Sequence, residues 1–166
     1  RGTFASTLNE GEAYGTTYNN ALTAANSGIS TANTYTHAIS GGGAEAVNGV
    51  DFELLNSDTT PTNFAWDVSS VKNQLNDNNG GWDVDASGVT DAGLLGLLGS
   101  FTFNNDAAVG SNQTFTLSGL TEGQGYDLRL YARKWNNTTQ RQQTVEFTAG
   151  GETSTITINE DHPEMA

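Results

Sequence analysis

Apolar and polar residues alternate along much of the second half of the chain. Phe115 and Leu117 alternate with Thr114 and Thr116, a period of two that predicts a strand with one buried face. The stretch YDLRLYARKW repeats the pattern: Tyr126, Leu128, Leu130 and Ala132 share one face, and Asp127, Arg129, Tyr131, Arg133 and Trp135 share the other. The first set is the face expected in a core. Val145 and Phe147, then Ile156 and Ile158, alternate with threonines and a glutamate on either side of the turn AGGE. Such strands, separated by polar turns at regular spacing, are expected to run antiparallel in a β-sandwich. Earlier in the chain, TYTHAI, VNGVDFELL and the FTF at 101–103 read as further strands.

One segment departs from this rhythm. TDAGLLGLLGSF sets Leu94, Leu95, Leu97 and Leu98 at helical spacing, with Thr90 or Asp91 available as the N-cap, which predicts a short helix near residues 91–99. Its three glycines each cost a helix up to about 1 kcal/mol relative to alanine, so leucine packing must hold it. Residues 1–32 are small, polar and weakly patterned, and read as an extended N-terminal arm preceding a sandwich domain at 33–166. An arm with so little apolar area needs a surface to dock on. Phe4 and Leu8 are the side chains that would fill a neighbour's pockets if the arm is donated as a strand.

Composition narrows the function. The chain has 166 residues, enough for one domain with a real core. Its 23 threonines and 18 asparagines, about a quarter of the chain, favour strands and turns over helices. Six basic against nineteen acidic residues give a net charge of −13, which argues against nucleic acid and anionic membrane surfaces as partners. No apolar run is long enough to span a bilayer. With no cysteine, neither disulfides nor thiolate metal sites brace the fold. Together these features lean towards an extracellular or cell-surface protein, in which calcium is the available staple.

The strings TYTHAISGGGAEAVNGVDF, TFTLSGLTEGQGYDLRLYARKW and TVEFTAGGETSTITINED, with the leucine helix between the first two, are similar to a known kind of domain. The chain resembles the galactose-binding-like, jelly-roll β-sandwich of large secreted bacterial surface proteins of the PEP-CTERM-associated type, over roughly residues 33–162. That resemblance implies an extracellular, non-catalytic module, and it carries over no catalytic residue. Such domains follow the acidic turn equivalent to INEDHPEM with another aromatic-rich strand, whereas this sequence ends at Ala166. The expectation is an open sheet edge closed by a strand from another subunit.

Three groups of residues are candidates for chemistry. In WDVDASGVTDAG, Asp83, Asp85, Ser87, the carbonyl of Val89 and Asp91 follow the first nine positions of a calcium loop, with Gly88 at the sharp turn. Leu94 stands where a bidentate glutamate would complete it, and the alternative is a solvated turn in which Asp91 caps the helix. Arg129, Arg133, Lys134 and Arg141 gather four of the six basic residues, and the strip Arg129, Tyr131, Arg133, Trp135 and Arg141 could hold an acidic polysaccharide or the acidic surface of another copy. The plain alternative pairs these arginines with Asp127 and Glu146. Trp66 and Trp82 are either stacking platforms or core. His37 and His162 have no serine or cysteine motif beside them, and no nucleophile–base pattern marks an enzyme. Asn112, Asn136 and Asn137 begin Asn-x-Thr sequons. The expected function is a non-catalytic structural subunit that self-assembles into a filament, sheath or surface layer by β-strand addition. The alternative is a carbohydrate-binding or adhesion module.

Overall fold

The computed structural model describes residues 23–75, 90–106, 110–131 and 142–159. Among the described residues the fold is all-β with one short helix, as the alternation and the leucine spacing predict. Its centre is a hairpin. Strands β2 (Glu45–Val47) and β3 (Val50–Leu55) pair antiparallel around Asn48 and Gly49, and β1 (Ile39–Gly41) adds to the other side of β3 in parallel. Asn48 and Gly49 both have positive φ, +51° and +76°, the backbone that a two-residue hairpin turn requires and that Asn-Gly adopts most readily. VNGVDFELL is therefore not one strand, as its hydrophobicity suggests, but two strands folded back on each other. The reversal brings Val47 opposite Val50 and puts Phe52 on the same face.

Helix α1 (Ala92–Gly99) closes over that face. Asp91 is its N-cap, with the Asp91 carboxylate accepting the Leu94 N–H at 2.9 Å. Leu94, Leu97 and Leu98 are all buried, and with Ile29, Val47, Val50 and Phe52 they form one apolar cluster. The glycines that weaken the helix also permit this packing. A Cβ on Gly93 would run into the carbonyl of Ala46, and one on Gly96 would meet the Glu45 carboxylate. The helix thus approaches β2 more closely than any residue with a side chain would allow.

Ile29 comes from the expected arm, so the boundary at residue 32 moves. Residues 23–32 belong to the body: the Asn48 amide donates to the carbonyls of Ala24 (2.6 Å) and Ile29 (2.7 Å). Ser27 turns the chain between them, its hydroxyl donating to Ala24 O and accepting from Ile29 N. This part of the arm is held to its own chain; Phe4 and Leu8 lie outside the described residues.

The remaining strands form two-stranded antiparallel ladders. These are β4 (Phe64–Val68) with β7 (Gln113–Leu117), β5 (Lys72–Leu75) with β6 (Phe101–Asn104), and β8 (Gln142–Ala149) with β9 (Glu152–Asn159). The last is turned by Gly150 and Gly151, at φ +60° and +84°. The expected TYTHAI strand shortens to β1, starting at Ile39. Polar side chains also join the ladders. Asn104 on β6 donates to Ser69 Oγ (2.7 Å) and Asn112 O (3.0 Å) beside β4 and β7, and accepts from Val71 N (3.3 Å). Gly42, at φ +91°, leaves room for the end of the β5–β6 ladder, because a Cβ there would strike the Leu75 carbonyl.

The largest departure from expectation is YDLRLYARKW. Its described part, Tyr126 to Tyr131, is in no ladder, and the face expected in the core is turned out: Tyr126, Leu128 and Leu130 are 42%, 59% and 56% exposed. The opposite face supplies the inward contacts, since Tyr131 packs against the core cluster.

The two helix glycines lend themselves to a paired test by thermal unfolding. Gly93→Ala should lower Tm by several degrees, because the obstructing atom is backbone and cannot move aside. Gly96→Ala should leave Tm unchanged or raise it, because the Glu45 carboxylate can swing away and the helix gains up to about 1 kcal/mol in propensity.

Candidate interaction surface

The exposed segment is pinned at each end by a tyrosine. At its start, a turn with Gly123 at φ +79° brings Tyr126 back so that its hydroxyl accepts the Thr121 N–H at 2.8 Å. At its end, the Tyr131 hydroxyl donates to the Ser27 carbonyl at 2.7 Å, and Arg129 Nη1 donates to the same oxygen at 3.2 Å. The Arg129 guanidinium lies over Gly28, in the space that a Cβ would occupy. Gly28 also has φ +75°, so two separate constraints require glycine there. Between the pins, the backbone groups of Tyr126 to Tyr131 have no hydrogen-bond partner among the described residues. Neither Asp127 nor Arg129 forms an ion pair among them. Phe115, Leu117 and Leu120 are exposed as well.

The structure assigns different places to the residues singled out from sequence. Arg129 and Tyr131 do come together, but on a carbonyl of their own chain rather than on an open strip. Arg133, Trp135 and Arg141 lie outside the described residues. Trp66 is a core residue at 2% exposed, its indole N–H donating to Gln113 Oε1 at 3.1 Å, and not a stacking platform. Lys72 Nζ sits 5.5 Å from its ring centroid, within range of a cation–π contact. Trp82, Asp83, Asp85, Ser87 and Val89 lie outside the described residues. Asp91 commits one carboxylate oxygen to the helix cap, the alternative weighed for it. No group of three or more potential metal ligands occurs among the described residues.

Two residues with structural roles here were not singled out by the sequence reading. Asn48 was legible through the Asn-Gly dipeptide, the strongest short hairpin signal. Ser27 was not, because its contact with Arg129 and Tyr131 is made by a backbone oxygen that no side-chain pattern reveals. Comparison with family models, with curated proteins and with solved structures finds no match to this chain.

Tyr131 makes the anchor sensitive to alkali. Burial pushes its hydroxyl above the usual tyrosine value of 10.0, against the opposing pull of Arg129. A raised pKa means that the folded state favours the protonated phenol. Its contribution is complete below 10.0 and is lost as pH climbs through the folded value. Tyr35 has the opposite sign: hydrogen bonds with Ser30 and then Asn33 lower its pKa, so its contribution appears above its folded value. Because Tyr35 is largely exposed, the Tyr131 effect should dominate. In urea unfolding at neutral pH, Tyr131→Phe should cost about 1 kcal/mol. Above pH 10.0 the gap should narrow as pH climbs through the raised folded value, because wild type loses the donor that the variant already lacks. A constant gap would mean that the hydroxyl contributes nothing that titrates.

Proposed function

We propose that this protein is a non-catalytic structural subunit that self-assembles in an extracellular setting through β-strand addition between copies. The observation that carries this reading is the segment Tyr126 to Leu130. It has the alternation of a half-buried strand, it is held against the body by Arg129 and Tyr131, and its apolar side chains and backbone groups are unpartnered among the described residues. A strand with those properties is completed most simply by another strand. The parallel reading, a carbohydrate-binding module, is weaker by three residues: Trp66 is buried, and Arg129 and Tyr131 face their own chain.

Charge sets the conditions. Copies carrying −13 each repel at low ionic strength, where the screening length is long, and less so at about 0.15 M, where it falls to about 8 Å. Calcium belongs to the same proposal, as a staple held by Asp83, Asp85, Ser87, Val89 and the second oxygen of Asp91.

Sedimentation of the full chain should show oligomers that grow as salt is raised from about 0.01 M to about 0.15 M. Leu128→Asp with Leu130→Asp should remove them while leaving Tm nearly unchanged, because both side chains are exposed. A wild-type chain that stays monomeric at high concentration overturns the proposal. For the staple, Tm in millimolar calcium should exceed Tm in chelator by a few degrees; equal values remove calcium from it.

A further inference from the structure

We infer that the strand added to Tyr126–Leu130 is the same segment of a second copy, paired antiparallel about a two-fold axis through Leu128. This deepens the assembly reading and rests on it. The argument starts from the order of side chains, Tyr-Asp-Leu-Arg-Leu. In an antiparallel ladder centred on Leu128, Leu128 faces its own mate, Tyr126 faces Leu130 of the other copy, and Asp127 faces Arg129 of the other copy. One face then holds only apolar side chains, and the other holds two opposite-charge pairs.

Three features fit this register. Asp127 and Arg129 are exposed and form no ion pair among the described residues. Arg129 gives only Nη1 to Ser27 O, and a guanidinium has other N–H groups to offer. None of the residues from Tyr126 to Tyr131 has positive φ, so none bars a ladder. Charge also selects the register. Sliding the second strand by two residues would bring Asp127 opposite Asp127, or Arg129 opposite Arg129, which opposes pairing. A self-complementary patch is what a two-fold contact requires, because each surface must serve as its own partner. Five residues make a short ladder, and within a larger assembly the local concentration of subunits would strengthen it.

The chain has no cysteine, so single thiols can be introduced into the full-length protein without background. Leu128→Cys should oxidise to a covalent dimer, because opposed residues place their Cα atoms about 4.5–5.5 Å apart, within disulfide range. Tyr126→Cys alone should not, because residues 126 of the two copies would stand about 13 Å apart, but Tyr126→Cys with Leu130→Cys should crosslink. In the Leu128→Cys background, Asp127→Arg should reduce the yield several-fold, because it sets an arginine opposite Arg129 of the other copy, whereas Asp127→Glu should preserve it. Oligomers that persist while Leu128→Cys fails to crosslink overturn this register and leave the assembly reading standing. Crosslinked dimers that never grow larger support the register and sink the filament.

Discussion

The fold depends on a reversal that occupies two residues. A chain this rich in threonine and asparagine has few large apolar side chains to spend, and they must meet in one place to be useful. Asn48 and Gly49 fold Val47 onto Val50, giving the helix leucines a surface to cover. The same asparagine side chain reaches two carbonyls of residues 24–29 and seats Ile29 in the cluster. A turn residue with positive φ and a side-chain amide therefore joins three sequence-distant segments into one core. Glycine at 48 could make the turn, but it would have no amide with which to hold residues 24–29.

Outside that cluster, polar side chains add connections between the ladders to those made by buried Leu55 and Trp66. Asn104 links β6 to residues flanking β4 and β7, and the Asn63 carbonyl receives both the backbone N–H and the hydroxyl of Ser118, with a ring nitrogen of His37 at 3.1 Å. Each such bond contributes about 1 kcal/mol net, less than a buried leucine. Two-stranded ladders leave backbone edges to be covered, and the segment at 126–131 adds backbone groups that are unpartnered among the described residues.

The sequence was most informative where local pattern and tertiary need agree. Leucines at helical spacing beside Asp91 placed the helix and its cap, and the alternation at 113–117, 142–149 and 152–159 placed strands, because side-chain period alone decides those elements. It misled at VNGVDFELL, where continuous hydrophobicity outweighed the turn dipeptide. YDLRLYARKW misled for a different reason: period two shows which residues share a face, but not which face looks inward. That choice falls to the long side chains of Arg129 and Tyr131, which find an acceptor on the body. Trp66 was open from sequence because burial depends on neighbours that are distant in the chain.

The Ser27 carbonyl has a consequence for how the sequence can vary. Because the anchor for residues 129–131 is a main-chain atom, the side chain at position 27 does not supply it. The sequence requirement moves one residue along, to Gly28, where a methyl group would displace the guanidinium and strain the backbone. A single added carbon there would thus be felt about a hundred residues downstream, loosening the hold of the body on residues 129–131.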